Sequence, residues 1–515
     1  MKRFSICITS DVHGYIMPNN YRNQEEEAMG LAKAASIISE IRKKHRMILI
    51  DNGDFIQGSP FTYYFAKKVS RKPSPMIKSA NLLGYDAAII GNHEFNYGMS
   101  YLNNTIDASD FPWLSANIVH HDTGEPVFGQ PYIIKEIDHV RVAILGTTTH
   151  YIPNWEDPKT IEGLSFEDAC QSIKKWVDFI KVTEAPDVMV VCYHGGFERD
   201  PSSGEPTEAS TGENQGYQIC ETVDGIDILI TGHQHRYIAE VIKGVTVIQP
   251  GSNGQALGEI VVSYNEAEVA SISTAIHYVG EQTTVDTQIT DGIAEEEKEV
   301  QAFLDQTIAT TAGAMEIQDP LSVRMQGHPF INYINALQMK VSDAPISCTA
   351  LFHDQSPGFP KQITMRDIVA NYIYPNTLKV LRVTGNDIKA ALEKSATFFT
   401  VDNGQININP DFIHPKPQPY NYDMWQGIDY QIKVSNPIGD RVIKLSFQGE
   451  PIEPEQYYQV VMNNYRASGG GDYHMFKQKE VIKDIPVDMT ELITDDLLKQ
   501  GVIHPDLTRH FEILR

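Results

Sequence analysis

The sequence predicts a two-part α/β protein, and three observations carry the prediction. From residue 2 to about 279, short β-branched runs alternate with longer amphipathic stretches. A polar segment without apolar periodicity follows, and the remainder again mixes helical and strand patterns around glycine-rich turns. At 515 residues the chain is long enough for two or three domains. Apolar runs at 4–8, 47–50, 87–90, 142–145, 188–192 and 226–230 predict the strands of a layered α/β domain over residues 1–280. Apolar residues recur at helical spacing in 25–44 (Met29, Ala32, Ala35, Ile37, Ile38, Ile41) and in 166–182, so helices are expected to cover a central sheet. The Thr-, Gln- and Asp-bearing stretch 281–291 and the acidic stretch 292–306, which reads as an exposed helix, place a linker with an interdomain helix at 281–317. Residues 318–515 are read as a second α/β domain, with a helix at 329–339 and strands at 378–383, 430–434 and 457–462.

Composition narrows the function. With 41% hydrophobic and 21% charged residues the chain is globular. Its 67 acidic against 42 basic residues leave a net charge of −25, which disfavours a nucleic-acid polymer or an anionic membrane as partner. Five cysteines, without a CxxC pair, match neither a disulfide framework nor a thiolate zinc site, and are read as reduced thiols. The apolar stretch at 4–8 is too short for a secretory signal, and no window approaches 18 consecutive apolar residues. The expectation is a soluble, cytoplasmic protein.

Polar residues with metal-ligand character follow five of the apolar runs. Asp11 and His13 stand two apart and share a face on extended chain. After 47–50 comes DNGDFIQGSP, in which Asp51 reads as a turn cap and Asp54 can bridge two cations through its two oxygens. After 87–90 comes GNHEFNYG, which brings the Asn92 amide oxygen and the His93 imidazole to the same edge. His194 follows 188–192, with Gly195 and Gly196 allowing close backbone approach, and GHQH after 226–230 puts His233 and His235 on one face. In open α/β sheets, ligands bind outside the carboxyl ends of the strands, where all five clusters fall. Asp11, His13, Asp54, Asn92, His194, His233 and His235 make seven N/O donors without a thiolate. That set suits two divalent ions of the Mn, Zn or Fe type, and the chemistry such a pair favours is in-line displacement at phosphorus. The other histidines, His120, His121, His139 and His328 among them, have no such context and read as surface or core residues. The loop 198–213 shows no obvious chemistry.

The strings DVHG, GDFIQGS, GNHEFNYG, YHGG and GHQH, in this order, resemble the calcineurin-like dimetal phosphoesterases. YPNTLKVLRVTG, YNYDMWQGIDY and NNYRASGGGDY are similar to the carboxy-terminal substrate domain of the 5′-nucleotidase family, so the resemblance covers nearly the whole chain. It implies a layered β-sandwich metallophosphoesterase domain with flanking helices, plus a second α/β domain that binds a small-molecule nucleotide. It further implies that Asp11, His13, Asp54 and His235 hold one metal and Asp54, Asn92, His194 and His233 the other, with Asp54 as the bridge. His93 matches the family's catalytic histidine, which steadies phosphoryl charge. Where the 5′-nucleotidases orient that histidine with an aspartate, this sequence has Asn96, as does the 2′,3′-cyclic-nucleotide 2′-phosphodiesterase/3′-nucleotidase branch that GNHEFNYG resembles. The glycine-rich segment ending in arginine, used against substrate by many 5′-nucleotidases, is missing from 347–361. Tyr422 and Tyr473 match the two rings that sandwich the base, and Asp472 is placed to reach a ribose hydroxyl. The implied activity is hydrolysis of 2′,3′-cyclic nucleotides and 3′-nucleotides. The alternatives are a 5′-nucleotidase and, outside the enzymes, an inactive metal-binding or sensing protein.

Overall fold

Valine, isoleucine and leucine fill the strands of the first half of the chain because each such side chain gains about 1.5–3 kcal/mol when fully buried. The computed structural model describes residues 2–23, 25–69, 74–156, 158–208, 211–265, 268–372, 376–402, 404–413, 417–485 and 487–515. These form two compact units, Met1–Val300 and Gln301–Arg515. In the first, one six-stranded sheet runs in the order Glu268–Tyr278, Ala256–Asn265, Lys2–Thr9, Arg46–Asp51, Ala87–Ile89, Trp113–Leu114. The second runs Tyr237–Ile242, Val245–Pro250, Ile228–Thr231, Val188–His194, Val140–Thr148, Tyr132–Ile137. Phe4, Ile6, Ile8, Ile48 and Ile50 of the first sheet share one buried core with Val142, Ile144, Val190, Ile228 and Ile230 of the second.

Alternation along the chain predicts one central sheet; the structure has two, packed face to face, which is the sandwich that the family resemblance implies. Both read as continuous apolar runs for the same reason. The inner face of each strand meets the other sheet, and the outer face of the second sheet is covered by helices Ala169–Thr183 and Gly216–Thr222 through Ile173, Val177, Ile180 and Ile219. Helix Leu31–Lys44 packs against strands of the first sheet. It starts at Leu31 and not at 25, where the periodicity begins, because Gly30 turns the chain at φ 95°.

Within each sheet the strands that precede the donor clusters are parallel neighbours. Thr9 pairs with Asp51 in one, and Thr231 pairs with Tyr193 in the other. Their carboxyl ends therefore lie side by side, and every cluster leaves from one edge of each sheet.

The segment 281–317 holds helices Thr287–Gly292 and Ala294–Leu304, and the division between the two units falls inside it. The second of these helices is not exposed all round, since Val300 and Leu304 are fully buried. In the second unit a five-stranded sheet runs Asp423–Gln426, Ile346–Ala350, Tyr457–Asn463, Leu378–Thr384, Glu480–Ile485. A four-stranded sheet runs Glu450–Pro451, Val442–Phe447, Ile428–Lys433, Phe511–Leu514. Helix Pro329–Ser342 packs on the first of them, its N-terminus capped by His328 Nδ1, which accepts from the Phe330 N–H. Of the string YPNTLKVLRVTG, residues 374 and 375 lie outside the described residues, as do 414–416 of the proline-rich loop.

Candidate functional site

The strands end where their loops bend sharply, and the bends carry the donors. Asp11, His13, Asp54, His233 and His235 all have left-handed backbone, at φ 53°, 50°, 55°, 66° and 56°. Five non-glycine residues in that region, all at one site, represent strain of order 1–3 kcal/mol each that the surrounding packing must hold. Glycine is required beside them. A Cβ on Gly53, itself at φ 97°, would stand 2.6 Å from His194 Nδ1, and one on Gly91 would collide with Asp54 Oδ1.

Two groups of donors converge. Asp11, His13 and His235 form one, and Asp54, His194 and His233 the other, the ligand atoms of each lying within 4.8 Å of one another. In the first, His13 Nε2 and His235 Nε2 are 3.1 Å apart, and His235 Nε2 is 3.5 Å from Asp11 Oδ1. In the second, His194 Nε2 lies 3.2 Å from Asp54 Oδ2, and the Asn92 Oδ1 is 3.1 Å from it and 3.0 Å from His233 Nδ1.

Three of the four histidines are turned by the other ring nitrogen. His13 Nδ1 donates to the Gln57 carbonyl at 2.9 Å and His194 Nδ1 to the Asn52 carbonyl at 2.7 Å, while His233 reverses the pattern and gives Nε2 to the Glu213 carboxylate at 3.1 Å. A ring held this way keeps its lone pair on the nitrogen that faces its group. Adjacent nitrogens and carboxylate oxygens, aimed at shared points and free of thiolate, fit a pair of divalent cations bound through N and O.

The charges of the donors are set by one another and by burial. Burial pushes His13 down to about 4, so it stands neutral and ready to donate. Burial also works against the charges of His194 and Asp54, but each is the other's partner. Asp54 pushes His194 up to about 10, and His194 and His93 hold the Asp54 carboxyl well below its ordinary range. Asp54 acts on His13 as well as on His194, so its charge reaches both groups. Asp51 takes the capping place, accepting from Thr9 Oγ1 at 2.7 Å and the Gly53 N–H at 3.0 Å.

His93 sits at the rim, its ring 5.3 Å from that of His13 and its backbone N–H on Asp54 Oδ1 at 2.8 Å. Asn96 Oδ1 meets its Nδ1 at 2.6 Å.

Sequence reasoning passed over three acidic residues here. Glu94, fully buried, accepts from four backbone N–H groups, those of Asp54, Phe55, Ile56 and Gly91, and so ties two donor loops together. Glu213 belongs to the loop read as having no chemistry, of which residues 209 and 210 lie outside the described residues; it turns His233. Glu156 holds Asn96 Nδ2 at 2.9 Å. A signal existed only for Glu94, which lies inside GNHEFNYG.

The second unit holds the two rings expected to sandwich a base. Tyr422 and Tyr473 are both fully buried. Tyr422 packs on Phe398 and Phe399, with centroids 5.3 and 5.0 Å away, and its hydroxyl donates to the Arg324 carbonyl. Tyr473 lies parallel to Phe476 and under the Arg466 guanidinium, 3.8 Å from its centroid. Neither ring leaves a face on which a base could stack. Asp472, at φ 64°, is exposed and ion-paired with Lys394 at 3.1 Å.

Two facing sheets with two N/O donor groups at one edge suit a hydrolase that works with two divalent ions. Residues 4–237 match the calcineurin-like phosphoesterase family and residues 307–478 the 5′-nucleotidase C-terminal domain. A solved Staphylococcus aureus protein, crystallised in complex with alpha-ketoglutarate, is 38% identical with a TM-score of 0.90 over the full length of both chains. The 2′,3′-cyclic-nucleotide 2′-phosphodiesterase/3′-nucleotidase of Yersinia enterocolitica is 28% identical over 98% of this chain and 87% of its own length. The trifunctional nucleotide phosphoesterase protein YfkN of Bacillus subtilis is 27% identical over 99% of this chain, which spans only 39% of that protein's length. The chain belongs to the calcineurin-like phosphoesterases that carry a 5′-nucleotidase C-terminal domain.

Proposed function

We propose that this protein hydrolyses nucleotide phosphoesters, with 2′,3′-cyclic nucleotides and 3′-nucleotides as its substrates. The observation that carries the reading is His93 oriented by the amide of Asn96 at the edge of a complete double donor set. Relatives across nearly the whole chain bear that pair of activities in their names, and no arginine occurs in 347–361 to hold a 5′-phosphate in the manner of many 5′-nucleotidases.

Asp11, His13 and His235 would hold one divalent ion and Asn92, His194 and His233 the other, with Asp54 serving both, and the N/O ligands suit Mn, Zn or Fe. When bound, the ions supply Lewis-acid charge at the phosphoryl oxygens. His93 stands at the rim to steady the developing phosphoryl charge and to assist the departing oxygen, held in place by Asn96 and by its own N–H on Asp54. The left-handed backbone of five ligands keeps the donors converged before any ion arrives, which lowers the cost of reorganisation.

Among the described residues no helix is long and apolar enough to cross a membrane. All five cysteines are buried and unpaired, which supports a reducing, cytoplasmic setting.

The deciding experiment compares phosphate release and products on 2′,3′-cyclic AMP, 3′-AMP and 5′-AMP, with Mn²⁺ and with chelator. Preference for the cyclic and 3′ substrates, lost on chelation, is expected. Preference for 5′-AMP would replace this reading with a 5′-nucleotidase, and inactivity of the Mn²⁺-loaded protein on every ester, a generic aryl phosphodiester included, would leave a metal-binding protein without catalysis.

A further inference from the structure

Asn96 does not end at His93. Its Oδ1 lies 2.6 Å from His93 Nδ1 and its Nδ2 lies 2.9 Å from Glu156 Oε2, so three side chains from two distant segments form one chain of hydrogen bonds. The segment that delivers Glu156 is anchored beside the donors. It follows the short turn Ile152–Asn154, in which Ile152 is buried, and its Trp155 ring lies 5.4 Å from that of His233 and 5.1 Å from Tyr151.

We propose that Glu156 is a positioning residue that sets the tautomer of His93 through Asn96. The inference rests on the catalytic role given to His93 above. An ionised carboxylate only accepts hydrogen bonds, so the Asn96 atom facing Glu156 must be the N–H donor. The other end of the amide is then the oxygen, which accepts and requires the proton of His93 to sit on Nδ1. With Nδ1 fixed in this bond, Nε2 is left as the nitrogen through which His93 acts on the phosphoryl and departing oxygens. Without Glu156 the amide can turn over, present N–H₂ to Nδ1 and move the ring proton to Nε2. The orientation is thus imposed through an intervening amide, and the full negative charge of Glu156 stays off the imidazole.

The test uses full-length, Zn²⁺-loaded protein, with 2′,3′-cyclic AMP and an aryl phosphodiester as substrates. Glu156→Leu is expected to lower kcat on both by about tenfold or more, the usual cost of losing such an outer partner, with KM and bound zinc unchanged. Glu156→Gln, whose amide oxygen still accepts from Asn96, is expected to restore most of kcat. Asn96→Asp alone sets two carboxylates against each other where 2.9 Å now separates donor and acceptor. It is expected to be impaired, and adding Glu156→Gln to it should recover activity. The ¹⁵N shifts of the His93 ring should report a proton on Nδ1 in the unaltered protein and a mixture of tautomers in Glu156→Leu.

A wild-type kcat in Glu156→Leu, a Gln variant as poor as the Leu variant, or a double variant no better than Asn96→Asp alone would each overturn the proposal. So would zinc loss in step with activity, which marks a merely structural role. Asp54→Ala serves as the control on the underlying reading: if it keeps full turnover, the site assignment fails before Glu156 is in question.

Discussion

Glu94 offers four acceptor contacts to four backbone donors, and few residues in the first unit hold so much geometry with one side chain. Its oxygens join the loop that carries Asp54 to the turn that carries Asn92 and His93. Glu94→Gln keeps the shape but turns an amide N–H₂ toward two of those donors, and a buried donor left unpaired costs about 1–3 kcal/mol. The variant is expected to lose about 2 kcal/mol of stability in denaturant unfolding and about tenfold in metal affinity by titration. Unchanged values for both would remove Glu94 from the architecture of the site. Its neighbours Asn92 and His93 stand out as a donor pair after an apolar run, whereas Glu94 is marked only by lying inside GNHEFNYG. Its partners are backbone groups up to 40 residues away, and those have no sequence signature.

The loops of the second unit depend on a comparable device. Arg466, in the short helix Asn464–Ala467, is buried and donates to the carbonyls of Tyr420 and Gly470 and to Asp423, with Nε 2.7 Å from the Asp423 carboxylate. It thereby clasps the segment around Asn421 to the glycine run at 469–471 and packs over Tyr473. Removing one partner of a buried ion pair strands the other, at a cost of about 3–5 kcal/mol. Arg466→Met is expected to destabilise the second unit by that amount in calorimetry, and the further change Asp423→Asn should restore part of it. No loss in the single variant would mean that the pair contributes nothing. Tyr422 and Tyr473 show why aromatic residues can be read in two ways at this scale. The same rings that could stack on a ligand are the best material for a buried core, and only packing distinguishes the two uses.

For the whole molecule, the chain divides into two units with separate sheets, and among the described residues every candidate metal group lies in the first. Residues 1–300 produced alone are expected to bind two ions per chain and to cleave an aryl phosphodiester, while losing preference among the nucleotides; activity strictly dependent on residues 301–515 would show that the first unit does not contain the reaction. Apolar runs at 4–8, 47–50, 188–192 and 226–230 announce strands because burial on both faces favours apolar residues at nearly every position. The donors are legible because each follows such a run within a few positions: Asp11 after one strand, Asp54 after another, His194 and the pair His233 and His235 after two more. Two facing sheets in place of one cannot be read in that way, since a strand covered by a helix and a strand covered by another sheet need the same side chains. Nor can the outer carboxylates be read. Glu156 reaches Asn96 across 60 residues and Glu213 reaches His233 across 20, along paths set by how loops are packed against the sheet edge. Chain-local chemistry thus specified the strands and the donors at their ends, because hydrophobic period and turn residues act over a few positions. The orientation of those donors belongs to the tertiary structure, because a hydrogen bond that turns a ring is made by whatever the fold brings within 3 Å of it.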